Sequence, residues 1–246
     1  MKAVITFHSI DSSKSVLAFS PALFEKLLDG LARSNIPVMP LEELLQSATT
    51  HGVALTFDDG MRSVYSEALP IIRDRNIKAH LFLATDTVRD GNRGRKKASA
   101  FPGFEMLNWD ELGKLQDCGF QIDAHTCSHP DLRQLSDQEV VGEFERCDEI
   151  ITDRLGRTPH YFAYPFGFVD SRLEMLAGRR YRACFTTKLT YLNRSERLSA
   201  LPRLDSFYLQ HGKFAEEIFS TATRSYLRAR GILRWGRGLI WNKTHA

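Results

Sequence analysis

No stretch of this sequence approaches the ~18 consecutive apolar residues that a membrane-spanning helix requires, so a chain threaded through a bilayer on helices is excluded. Met1-Lys2-Ala3-Val4-Ile5-Thr6-Phe7-His8 reaches an apolar stretch at once, but one too short for a signal-peptide core and without a cleavage site after it. The expectation is a cytoplasmic protein. Cysteine is scarce: Cys118, Cys127, Cys147 and Cys184 are scattered with no CxxC pair, which reads as reduced thiols. No flexible interdomain linker and no repeat of fixed period is visible. Hydrophobic residues at 43% and charged residues at 26% exclude disorder, collagen-like sequence and coiled coil as descriptions of the whole chain. At this length about three quarters of the unfolded surface is buried on folding, enough for a large core.

Net charge is also small, +3, but it is unevenly placed. Residues 211–246 hold seven Lys/Arg against two Asp/Glu. There Arg224, Arg228, Arg230, Arg234 and Arg237 alternate with Tyr226, Leu227, Ile232, Leu233 and Trp235. A solvated helix is the plain reading of such a tail. The mixture also suits peripheral contact with an anionic membrane surface. Nucleic acid is not an expected partner.

Short apolar strands alternate with amphipathic helices. Strands are expected at Ala3–Phe7, Val53–Phe57, Lys78–Leu83, Phe120–Ala124, Tyr161–Tyr164, Ala183–Thr186 and Leu201–Leu204. Several are apolar on both faces, as in parallel sheets covered by helices. Ser20-Pro21 signals a helix start, and Asn108 with Glu111 and Ser136 with Glu139 are capping boxes. A helix over Arg62–Arg75 must kink or split at Pro70. The alternation demands an α/β fold with a parallel sheet, open or closed into a barrel. Residues 86–106 form a long insertion after a strand, which puts Arg93, Arg95, Lys96 and Lys97 on the same side as the site.

Reactive groups collect where these strands end. Val53–Phe57 runs into Asp58-Asp59-Gly60, Phe120–Ala124 into His125-Thr126-Cys127-Ser128-His129, Tyr161–Tyr164 into Pro165-Phe166-Gly167, and the first strand into His8. The C-terminal edge of a parallel sheet is where sites are built. A spacing of four puts both imidazoles on one side of a helical turn, with Cys127 pointing away. Two histidines and one carboxylate make a three-ligand metal set that leaves positions open for water. Adjacent buried carboxylates repel unless a cation or a proton relieves them. One carboxylate on the metal and one on the water is a natural division.

With these residues in view, the sequence resembles the polysaccharide deacetylase family, also called NodB-homology or carbohydrate esterase family 4. Thr56-Phe57-Asp58-Asp59-Gly60 is similar to its first motif, and His125-Thr126-Cys127-Ser128-His129-Pro130-Asp131-Leu132 to its second. Phe162-Ala163-Tyr164-Pro165-Phe166-Gly167 looks like a variant of the third. Leu107-Asn108-Trp109-Asp110 and Leu201-Pro202-Arg203-Leu204-Asp205 resemble segments of one branch. The resemblance implies a distorted (β/α) barrel of about seven parallel strands over residues 1–206; residues 207–246 fall outside it and are expected to form a basic helical extension on or beside the barrel. It implies removal of N-acetyl, less often O-acetyl, groups from sugars with one divalent metal. Zinc is the first choice, and cobalt, nickel or iron suit the same ligands.

The resemblance assigns Asp59, His125 and His129 to the metal, Asp58 to the general base and the Phe166 N–H to an oxyanion donor. Tyr164, Pro165 and Trp109 are assigned to substrate contact. The third motif's usual arginine, which orients the base, is replaced by Ala163. The family's usual fourth motif and late histidine are absent too. Arg203 is expected to enter the mouth from the last strand and bond Asp58 or an acid such as Asp205. His8 is expected to supply the missing acid, with His211 next in line. The alternatives are a catalytically silent sugar-binding barrel and an amidohydrolase of a small amide or imide.

Overall fold

The computed structural model describes residues 1–89 and 101–244, with side chains of the last helix described as far as Arg234. The strands are β1 (Lys2–Phe7), β2 (Ser9–Ile10), β3 (Ala18–Phe19), β4 (Gly52–Asp59), β5 (Ala79–Leu83), β6 (Phe120–Ala124), β7 (Tyr161–Ala163), β8 (Ala183–Phe185) and β9 (Leu204–Asp205). The helices are α1 (Pro21–Arg33), α2 (Leu41–Leu44), α3 (Leu69–Asp74), α4 (Trp109–Asp117), α5 (Asp137–Leu155), α6 (Ser171–Gly178) and α7 (Thr221–Thr244). Seven strands form one parallel sheet in the order β8-β7-β6-β5-β4-β1-β9, and β2 pairs with β3 in a separate small ribbon.

The sheet curls, and residues 201–205 form the seam between its edges. The Leu201 N–H donates to the Cys184 carbonyl at 2.8 Å, and the Thr186 N–H to the Leu201 carbonyl at 2.9 Å. Leu204 and Asp205 then pair with Ile5 and Thr6 of β1. The first half of the stretch therefore serves one edge and the second half the other. The strand expected at Leu201–Leu204 is regular only at its end for this reason. Pro202 falls between the two halves, where no donor is needed.

Strands buried on both faces separate two cores. Val4, Ala54, Phe82, Ala163, Phe185 and Leu201 fill the barrel interior. Ile5, Phe7, Leu55, Phe57 and Leu81 face the helices, against Phe24, Leu27 and Leu31 of α1 and Val140, Phe144 and Cys147 of α5. Phe7 stacks on Phe57 with ring centroids 5.3 Å apart, and Phe24 meets Phe7 edge-on at 5.1 Å. Both capping boxes form, and Gly156 closes α5 in the left-handed conformation at φ 70°. The segment around Pro70 divides as its chemistry requires. A wide π-helical turn at Val64–Ala68 precedes α3, whose first turn holds the proline.

Residues 207–234 pack back onto the barrel. Ala215, Ile218 and Leu227 are buried. Gly30 of α1 lies so close to this segment that a Cβ there would sit 2.3 Å from the Glu216 carbonyl oxygen. Among the described residues no helix is long and apolar enough to cross a membrane. Arg93, Arg95, Lys96 and Lys97, and the side chains of Trp235 and Arg237, lie outside the described residues.

Candidate metal-centred active site

Strand alternation builds the mouth. Thr6 of β1 pairs with Thr56 of β4, so with a period of two His8 and Asp58 fall on the same inner face at the same level. Consecutive strand residues point to opposite faces, so Asp59 would be carried away from Asp58. It is brought back by a left-handed backbone, φ 72°. Gly60 follows at φ 92°, where an added Cβ would lie 2.7 Å from Leu83 Cδ1. The positive-φ residues other than glycine and asparagine are Asp59, Thr126, His129 and Phe166, all of them at this end of the barrel. Such concentrated strain marks a place where geometry is held against local preference.

Arg203 enters the barrel from the seam and is fully buried. Its two terminal nitrogens donate to the two Asp58 carboxylate oxygens, each at 2.7 Å. Nε donates to the Thr186 carbonyl at 3.2 Å, and the guanidinium lies 5.5 Å from the Phe82 ring centroid. Burial alone would push the Asp58 carboxyl up. The Arg203 charge outweighs it and, with His125 and His8, holds the carboxyl down at about 2. The arginine missing at Ala163 thus has a counterpart from a different strand. Asp205 does not share it. Its carboxylate caps the Phe207 N–H at 3.0 Å and faces Arg234 at 3.6 Å.

Asp59 Oδ1 lies 3.4 Å from Nε2 of His125 and 3.4 Å from Nε2 of His129. One ligand atom from each of the three residues lies within 4.8 Å of the others. His125 Nδ1 donates to the Ala163 carbonyl at 2.7 Å, which leaves the Nε2 lone pair facing the cluster. Asp59 Oδ1 is buried and has no hydrogen-bond partner among the described residues. A bare carboxylate oxygen between two imidazole nitrogens fits a cation. Burial and the neighbouring His125 drive the His129 ring down to about 4. Burial lowers His125 too, but Asp59 and Asp58 outweigh it and raise that ring.

The two histidines do not sit on the helical turn that their spacing suggests. Residues 125–129 are irregular, with Thr126 at φ 68° and His129 at φ 54°. Neighbouring chain holds this loop in place of helical bonds. Glu143 of α5 accepts from the N–H groups of Cys127 (2.8 Å) and Ser128 (2.9 Å) and from the Ser128 hydroxyl (2.9 Å). Thr85 and Asp86 N–H groups donate to the Thr126 and Cys127 carbonyls at 3.2 and 2.9 Å. Cys127 is buried and faces Thr85 and Arg146, so it is outside the ligand set. Glu143→Ala strips three bonds from the loop and is expected to weaken zinc binding about 10–100-fold, the usual cost of losing a supporting shell. Competition with a chromophoric chelator checks this, and an unchanged affinity would remove Glu143 from the account.

The third strand end divides its roles differently from the sequence reading. Phe166 sits at φ 59° in a tight turn, its ring half exposed and 4.6 Å from the His129 ring. Its N–H lies in the first turn, where no acceptor within the turn serves it. Gly167 holds that turn. At φ 71°, a Cβ there would overlap Thr187, 2.1 Å from its Oγ1. Tyr164 is fully buried, its hydroxyl donated to the Ser199 carbonyl at 2.9 Å. Burial pushes its phenol up. Pro165 is buried as well. Both therefore act as packing under the turn, and the expected substrate contact through their side chains is corrected. Trp109 opens α4 with the Arg154 guanidinium 5.6 Å from its ring centroid. That contact puts the half-buried Trp109 on the α4–α5 flank. His211 is exposed in the turns before α7. Two groups escaped the sequence reading. One is Glu143, hidden among the many acids of α5. The other is Phe101, at the end of the insertion, whose ring lies 5.2 Å from His129.

The polysaccharide deacetylase profile matches residues 46–180, and the chain belongs to that family. Chitin deacetylase 1 of Cryptococcus neoformans is 30% identical over 125 residues, covering 51% of this chain and 23% of that protein. A chitin deacetylase of Pestalotiopsis is 27% identical over 65% of this chain and 51% of its own length. The chain thus spans between about a quarter and about half of the length of these curated relatives. In fold it is similar to the Streptococcus pyogenes deacetylase PplD (TM-score 0.72, 22% identity, 82% of this chain and 91% of that one). It is similar also to IcaB of Ammonifex degensii (TM-score 0.73, 24% identity, 87% and 97%).

Proposed function

We propose that this protein is a metal-dependent hydrolase removing N-acetyl groups from a GlcNAc-containing glycan or glycan precursor. The observation that carries the reading is the bare, buried Asp59 Oδ1 between two imidazole nitrogens, beside a second carboxylate fixed by a buried arginine. Family membership and the names of the relatives support the substrate class. Zinc is the first-choice ion for the ligand set.

Asp59, His125 and His129 would hold the ion. Bound there, it would polarise the acetyl carbonyl and acidify water. Asp58 acts as the base. Held at about 2, it stays ionised throughout the neutral range and accepts a proton only from water that is already acidified. Arg203 keeps its oxygens in one orientation. The Phe166 N–H donates to the oxygen that becomes negative as the carbonyl carbon turns tetrahedral. The amine leaves poorly unless protonated, and His8, which follows the strand paired with that of Asp58, supplies the proton. His8 is near enough to act on the charges of Asp58 and His129.

Acetate release from acetylated chitooligosaccharides with zinc present tests the reading. Turnover of cyclic amides in place of sugars would favour the amidohydrolase alternative. Metal-replete His8→Gln is expected to keep its ion and lose ~10²–10⁴-fold in turnover. Near-normal turnover in that variant would take the acid role from His8.

A further inference from the structure

Beside the Phe166–Gly167 turn a groove of about 900 Å³ runs between the strand-end residues Thr186, Thr187 and Lys188, the following loop to Arg197, and one side of α7. That volume is in the range of small-molecule sites. Gly167 lines it, so it opens directly off the mouth that holds the oxyanion donor. The Thr190 hydroxyl is the kind that pairs with a sugar hydroxyl, whereas Thr186 and Thr187 already donate to the Leu201 and Phe166 carbonyls and the Asn193 amide is bonded to Glu196 and Ser195.

Its charges are unbalanced. Lys188 is paired with Glu196 at 3.0 Å, Arg197 with Glu174 at 2.8 Å, and Arg234 faces Asp205 at 3.6 Å. Arg228 also lines the groove and has no acidic or hydrogen-bonding partner among the described residues. It is presented by a helix that packs tightly here: a Cβ on Gly231 would be 3.0 Å from the Leu189 carbonyl oxygen. Arg228 is exposed along this groove, whose lining also includes Phe168, Leu189 and Ile232, and an arginine without a partner there is suited to a phosphate or carboxylate, which it binds through two parallel N–H bonds.

We propose that this groove is a substrate subsite that takes an anionic group, phosphate or carboxylate, carried by the glycan whose acetylated sugar lies at Asp59, His125 and His129, with Arg228 as its principal ligand. The inference rests on the reading of the site as a sugar deacetylase and narrows its substrate to acidic or phosphorylated glycans. An anionic membrane is the competing use of the same arginine. The groove's concavity and the presence of Gly167 in its lining favour a sugar over a flat membrane surface.

Calorimetric binding of N-acetylglucosamine 1-phosphate and of N-acetylglucosamine to the full chain tests this without turnover. The phosphorylated sugar is expected to bind about tenfold tighter or better, with that advantage lost in Arg228→Gln and kept in Arg224→Gln, one turn earlier on α7. Equal affinity for the two sugars in the parent protein would overturn the proposal, as would an advantage that survives Arg228→Gln or falls equally in Arg224→Gln. Sedimentation with phosphatidylglycerol vesicles supplies the other arm. If Arg228→Gln abolishes vesicle binding and leaves sugar-phosphate binding unchanged, the arginine serves a membrane and the subsite is refuted. Failure of acetate release with these binding results intact would count against the deacetylase reading and not against the anionic subsite.

Discussion

Replacing Arg203 with methionine is expected to destabilise the fold by about 3–5 kcal/mol, the scale for removing one partner of a buried ion pair. The guanidinium is fully buried and satisfies both Asp58 oxygens. Without it Asp58 is left charged in a closed interior, where burial pushes its carboxyl up with the main opposing charge gone. The double variant Asp58→Asn/Arg203→Met should cost clearly less than the sum of its parts, because it leaves no lone charge behind. Arg203→Lys should not rescue, since an ammonium cannot span both oxygens. Urea denaturation of the set measures this. A cost within about 1 kcal/mol of zero for Arg203→Met would contradict it.

The same pair has a signature in pH. Asp58 is held at about 2 in the folded state against ~4 in an unfolded chain. The unfolded chain therefore takes up a proton first as pH falls. The pair's stabilisation is fully present above ~4 and is lost as pH drops through about 2, a difference of roughly 2–3 kcal/mol. In Arg203→Met the sign reverses at this residue. Its raised carboxyl protonates more readily folded than unfolded, so acidification through that raised value stabilises the variant.

His129→Ala is expected to lose more than about 100-fold in zinc affinity and nearly all acetate release, a larger effect than loss of a supporting residue such as Glu143. His129 supplies one of the three ligand atoms that the described residues bring together in the cluster. Its ring is also the one that both Phe101 and Phe166 flank, so its loss opens the wall of the mouth. Elemental analysis after gel filtration reads the metal, and one tightly held ion per chain in the variant would overturn the ligand assignment. Asp58→Asn makes the contrast. It should keep the ion and lose turnover, because Asp58 is bonded to Arg203 and lies outside the ligand set.

Much of this was legible in the sequence because strand alternation and strand ends follow simple rules. The apolar runs locate the sheet, and Asp58-Asp59-Gly60 and the His125/His129 pair mark the edge where the site forms. Arg203 could be expected in the mouth because the family's third motif has an arginine where this chain has Ala163, and because Arg203 falls at the end of the last strand that the apolar pattern predicts. What the sequence could not convey is where the chain leaves regular geometry. The spacing of His125 and His129 suggests a helix, yet a loop with two left-handed residues, pinned by Glu143 sixteen positions beyond Cys127, presents them. Tyr164 carries a hydroxyl next to site residues and looks exposed to substrate. Only the fold reveals that Ser199 lies within reach and that the ring is buried.

The most direct test of the account is to strip the protein with a chelator, titrate it with zinc, and follow bound metal and acetate release from a chitooligosaccharide together. The account requires release to be absent without metal, to rise in proportion to bound zinc and to stop rising at one ion per chain, with Asp59→Ala silent throughout. Full acetate release from the metal-stripped protein, or from Asp59→Ala, would contradict it.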